Sequence, residues 1–204
     1  MLRELRTFVW LAALCLLASA GCTRQSVPPP QVAAPPPPPL ATAGTSDHAR
    51  LEQALQGRGL SPEEAFELSE RMLVEGSSNY NNEETMARLE LLLLKALQND
   101  NRISRAGLLR NLGIIHYHQK QYKRARQELQ ASNELNPRDA RTHFYLARLF
   151  AQQEQYYLGK GMQKKAQAQA KLAQTELDLA RKLEPGNPLY RQGLQATLRQ
   201  EQVK

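Results

Sequence analysis

The chain has 204 residues, 27 Lys and Arg against 20 Asp and Glu, a net charge of +7 and two cysteines. That length holds one modest domain with extras, and the basic balance permits an anionic contact without demanding nucleic acid, for which no motif or aromatic–basic stacking pattern is present. Cys15 and Cys22 both lie near the amino end, so no disulfide framework staples the folded part.

Residues 1–21 read as an export signal. Arg3 and Arg6 precede an apolar run over 8–17 that is short for a membrane span. The run leads into L-L-A-S-A-G-C. Ala20-Gly21-Cys22 resembles the lipobox of bacterial lipoproteins, with Ser19 where that family usually has Leu. The resemblance implies cleavage before Cys22 and lipidation of its thiol, with palmitate among the acyl groups. Thr23 is not the Asp that usually retains such proteins at the inner membrane. The implied location is therefore the outer membrane of a Gram-negative bacterium, lipid-anchored, with the domain facing the periplasm.

Residues 22–47 hold the lipidated Cys and a Pro-rich tether. Pro28 to Pro30 and Pro35 to Pro39 favour polyproline II and lack a core-forming pattern. Fully extended, such a tether spans on the order of 75 Å. It would hold a domain off the membrane surface.

Residues 48–204 read as helical throughout. A short helix over 49–56 ends at Gly57-Arg58-Gly59. Ser61-Pro62-Glu63-Glu64 combines an N-cap, Pro at the first helical position and a capping box. The helix it starts carries Ala65, Leu68, Ser69 and Met72 on one face and is expected to stop at Gly76. Asn81 with Glu84 suggests another capping box. Leu89, Leu93 and Leu97 are joined by Leu91, Leu92 and Leu94, which suggests a helix sandwiched between neighbours.

Over 106–137 the pattern is clearest. Leu109, Leu112, Ile115 and His116 share one helical face, and Ala125, Leu129, Ser132 and Leu135 share another. The short polar stretch 119–121 folds the two helices back on each other. Gly113 and Ala125 let the backbones approach closely, and Pro137 stops the second helix. Leu112-Gly113, Tyr122, Ala125, Leu129 and Pro137 together resemble a tetratricopeptide repeat, with Leu109 in the Trp place and His116 in the Tyr place.

The next unit begins with Leu146, Ala147 and Phe150 in the same places and closes on Ala173, Leu177, Ala180 and Pro185. Pro137 and Pro185 are 48 residues apart, 14 more than the family's roughly 34. Seven extra residues per helix are close to two turns and keep the apolar faces in phase. The expectation is a projecting helical hairpin that turns at Gly159-Lys160-Gly161. Asn187-Pro188 starts a final helix with Tyr190, Leu194 and Leu198 in one stripe, suited to capping the end of a stack.

The expected fold class is therefore all-α: a short tetratricopeptide-type helical solenoid of about three helix hairpins, one elongated, plus a capping helix, after a disordered tether. Little in the chain suits catalysis. His116 and His118 point about 200° apart on a helix and do not form a chelating pair. His143 reads as a packing residue. No phosphate loop, Cys-x-x-Cys or nucleophile–base pattern occurs. The expectation is no enzyme, no metal, no cofactor and no small-molecule substrate.

Two surfaces are candidates for binding a protein partner. The resemblance implies a concave inner face, here Arg110, Asn111, Ile114, Tyr117, Phe144, Tyr145 and Arg148, which offers a carboxylate fork, an amide and aromatic contact. The second is the hairpin tip: Tyr156, Tyr157, Lys160, Lys164 and Lys165, aromatics beside a cationic cluster. Lys120, Lys123, Arg124 and Arg126 read as a solvated basic turn. Small lipoproteins of this repeat class include the pilotins of type IV pilus secretins. The expected function is a periplasmic scaffold for a multiprotein envelope complex such as a type IV pilus or secretion system. An adaptor for peptidoglycan or cell-wall hydrolases is the alternative.

Overall fold

The computed structural model describes residues 46–57, 59–99, 104–192 and 194. The expected export segment, Cys22, the expected tether up to residue 45 and Leu198 of the final stripe lie outside them. Among the described residues all regular structure is helical, so the chain is all-α. The helices are α1 (Asp47–Gln56), α2 (Pro62–Met72), α3 (Glu83–Gln98), α4 (Arg105–His118), α5 (Tyr122–Leu135), α6 (Ala140–Gly159), α7 (Gln163–Leu183) and α8 (Pro188–Gln192). A 3-10 turn, Ser78–Asn81, precedes α3.

Short polar side chains set the helix starts. Ser46 accepts from the Ala49 amide, so α1 begins before the expected boundary at 48. Ser61 and Glu64 exchange side-chain and backbone bonds in a full capping box, with Pro62 at the first position. The cap of α3 is Asn82, which accepts from Thr85 at 2.9 Å, one residue beyond the expected Asn81. Asp139 caps α6 through Thr142 at 2.9 Å.

Helix α4 is the centre. It packs against α2, α3, α5 and α6, and from Leu108 to Tyr117 every residue but Leu109 is buried. It forms an antiparallel hairpin with α5. A Cβ on Gly113 would stand 2.7 Å from Leu129 Cγ and 3.2 Å from the Ala125 carbonyl oxygen, so only hydrogen fits there. Further along the pair, Ser132 donates to the Ala106 carbonyl at 2.8 Å. The reversal uses Lys120 in the left-handed region, φ 60°.

Helices α6 and α7 form the second long hairpin. They are 20 and 21 residues long against 14 each for α4 and α5. The chain reverses between them at Lys160 and Gly161, where Gly161 has φ 68°. The buried side chains of α6 end at Ala151, so its last two turns leave the core.

Two local expectations are corrected. Helix α3 is not sandwiched: Leu91 and Leu94 are 49% and 42% exposed. Its neighbours α1, α2 and α4 bury Leu89, Leu92 and Leu93 and leave the other side to water. Helix α2 ends at Met72 rather than near Gly76. The Leu73 carbonyl is taken by the Arg141 guanidinium, and the chain leaves the helix there.

Candidate functional site

The loop after α2 fills the place where an open inner face was expected. Gly76, at φ 82°, turns the chain, and Glu75 points inward. One carboxylate oxygen of Glu75 accepts from Arg148 at 2.7 Å, from the Tyr145 hydroxyl at 2.7 Å and from the Tyr80 hydroxyl at 2.9 Å. The Arg148 guanidinium lies 4.7 Å from the Tyr117 ring centre and 4.9 Å from that of Tyr145. Such cation–ring contacts strengthen once water is excluded.

All seven residues expected on the open face are buried. Arg148 is 1% exposed, Arg110 8%, and Asn111, Ile114, Phe144 and Tyr145 are 0%. Tyr117 is equally enclosed. The expectation of an exposed concave surface is therefore corrected, and the cause is intramolecular. Glu75 supplies the carboxylate to Arg148. Glu70 and Asp139 each lie 2.5 Å from Arg110. Asn111 donates to Ser69 Oγ at 2.8 Å, and Tyr190 stacks on Phe144 with ring centres 4.9 Å apart. The chain's own acids occupy the forks that a partner's acids would have used.

Three histidines sit around this interior. His116 lies between Glu128 on α5, at 2.5 Å, and Glu90 on α3, at 3.2 Å. Burial pulls its pKa down, but the hydrogen bonds and charges of the two carboxylates outweigh burial and raise it. For Glu90, burial acts upward, and the bonds from Gln119 and His116 outweigh it and lower the pKa. The bond from His143 to Glu176, 2.6 Å, raises the pKa of that imidazole against burial, helped by the Pro137 carbonyl. His118 is the opposite case. It meets the Tyr80 ring edge-on with centres 4.2 Å apart, and burial, with the positive charges of Arg148 and Arg141, pushes its pKa down to about 3. Among the described residues no group of three or more His, Cys, Asp or Glu side chains is placed to hold a metal ion.

The hairpin tip is the exposed candidate. The structure brings four of its five residues into contact. Tyr156 is 60% exposed and packs edge-on to Tyr157 at 5.5 Å. The Lys160 ammonium is 5.9 Å from the Tyr156 ring centre, and that of Lys165 is 5.6 Å from Tyr157. Lys164 is exposed on the first turn of α7. Leu158 and Met162, which the sequence reading passed over, add apolar surface at 39% and 44% exposure. Glu75 and Tyr80 were also missed. The usable signal was Arg148: a buried guanidinium needs a carboxylate, and Glu75 is the acid in the 73–82 loop.

No protein-family model matches this sequence, and no curated protein or solved structure matches it. Among the described residues no helix is long and apolar enough to cross a membrane.

Proposed function

We propose that this chain is a lipid-anchored scaffold, a short tetratricopeptide-type solenoid that helps assemble a multiprotein envelope complex such as a type IV pilus or secretion system. The observation that carries this reading is the register of its hairpins. Gly113 and Ala147 occupy corresponding places on α4 and α6, where a Cβ on Gly113 would meet Leu129 and Ala147 is fully buried, and they are 34 residues apart, the family's repeat length. Pro137 and Pro185 follow α5 and α7. Cys22, with the Pro-rich tract behind it, supports an anchor at the outer membrane and a domain in the periplasm. The reading is non-catalytic. With the inner face occupied by Glu75, the contact surface for a protein partner is the hairpin tip, centred on Tyr156 and Lys160.

The test is crosslinking and pull-down from membranes, with the full chain compared against a Tyr156→Ser/Lys160→Glu variant. The scaffold reading expects envelope-complex proteins with the full chain and their loss with the variant. Recovery of the same proteins by both would remove the tip from the proposal. Cys22→Ser should release the protein from the outer-membrane fraction, and retention there by lipid contact alone would sink the anchor.

A further inference from the structure

Helix α7 carries two apolar faces, and among the described residues only one is buried. Ala166, Ala173, Leu177 and Ala180 are buried, and α6 is the long helix packed along α7. On a different side, Ala168, Leu172, Thr175 and Leu179 follow one another at spacings of four, three and four. That is the seam spacing of a two-stranded coiled coil. Leu172 and Leu179 are 43% and 38% exposed. Thr175 donates its hydroxyl to the Lys171 carbonyl at 3.0 Å, which satisfies that polar group within the helix.

We propose that this face is a homodimer interface, in which α7 of one copy packs antiparallel on α7 of a second. The seam then closes on itself. Ala168 meets Leu179 of the second copy and Leu172 meets Thr175, each layer occurring twice by symmetry. Along one flank Lys171 faces Asp178 of the second copy, again twice. Lys171 and Asp178 are both exposed, and among the described residues Asp178 meets Gln174 and Arg181 of its own helix.

The pairing of Lys171 with Asp178 favours this arrangement. The parallel alternative sets Lys171 against Glu176, which is already bonded to His143 at 2.6 Å. The exposed stripe of α3, Ala87, Leu91 and Leu94, is the other candidate seam. Paired antiparallel with itself, it sets Arg88 against Lys95 of a second copy, a like-charge opposition that disfavours it. Lys165 meets Lys182 of the second copy at each end of the seam, a like-charge opposition that stops the contact at four layers. That is smaller than a standard interface of about 1,600 Å², and the association is expected in the micromolar range.

Sedimentation equilibrium of the full chain in density-matched detergent tests the proposal. The expected result is a concentration-dependent dimer. Lys171→Asp and Asp178→Lys should each weaken it about tenfold or more, and the double variant should recover it. Leu172→Ser should weaken it as well. All three positions are exposed, so thermal melts should match the unmodified chain. A chain that stays monomeric up to roughly 300 µM overturns the proposal. So does a double variant no better than the singles, or a dimer lost through Leu91→Ser instead. If the chain is monomeric and Leu172→Ser instead loses a protein from membrane extracts, a different partner covers this face and the proposal fails.

Discussion

Glu75 and Arg148 are 73 residues apart in sequence and 2.7 Å apart in the fold. The pair joins the loop after α2 to the middle of α6, inside a ring of tyrosines. Truncating the acid leaves a guanidinium that is 1% exposed without its counter-charge. Removing one member of a buried pair costs about 3–5 kcal/mol, whereas replacing both with apolar groups is often neutral. Glu75→Ala should therefore lower the urea midpoint strongly, and Glu75→Leu/Arg148→Met should recover much of the loss. Equal loss in single and double variants would show that loop position, not charge pairing, holds this region.

The contact of Gly113 with Leu129 gives a second expectation. Ala normally favours a helix interior by roughly 0.5–1 kcal/mol over Gly. At this position its methyl would stand 2.7 Å from Leu129 Cγ. Gly113→Ala should forfeit that gain, and Gly113→Leu should destabilise by roughly 1–3 kcal/mol or more. Thermal melting measures both. An unchanged Tm for the Leu variant would mean α4 and α5 are not this close.

Stability should fall on both sides of neutral pH. His116 and His143 have raised folded pKa values. Their stabilisation is complete below the ordinary value of 6.5 and is lost as pH rises through the folded values. His118 works the other way. Its folded pKa is about 3, so its neutral form is what the fold accommodates. Stability is lost as pH falls below 6.5, at no more than about 1.4 kcal/mol per pH unit from this one group. His118→Phe keeps a ring against Tyr80 and should flatten the acid limb of a urea-midpoint profile. His116→Gln and His143→Gln should flatten the alkaline limb. An acid limb of unchanged slope in His118→Phe would rule out this assignment.

Shortening the long hairpin should cost little. Deleting 152–158 and 162–168 removes one buried side chain, Ala166, and otherwise exposed or half-exposed residues. Circular dichroism should show a folded domain with Tm lowered by less than about 5 °C. A protein that unfolds would make the tip part of the core.

The helices were legible because their signals are local. Ser61 and Pro62 start α2 where the capping chemistry requires, and Gly113 between Leu112 and Ile114 marks the close approach of two backbones. The interior was not legible because it depends on where a loop goes. Phe144, Tyr145 and Arg148 look like a binding surface when read on α6 alone. They are core because Glu75, about 70 residues earlier, takes the Tyr145 hydroxyl and the Arg148 guanidinium, and because Tyr190 covers Phe144. The leucines of α3 failed for a related reason. Six leucines in nine residues say that a helix has more than one oily side, and only the positions of α1, α2 and α4 decide which side stays wet.

The point at which α6 leaves the core, Ala151, divides one continuous helix into two regimes of motion. Before it, every turn is pinned by burial on α4 or by the Glu75 pair. Amide protons there should exchange with solvent only when the whole domain opens. After it, the turns are held by α7 and by a single bond from Arg126 on α5 to Gln153, and their protons should exchange by fraying, without unfolding anything else. A hydrogen-exchange trace along α6 should therefore step sharply within a single turn, and the fast side should be the end that carries Tyr156 and Tyr157.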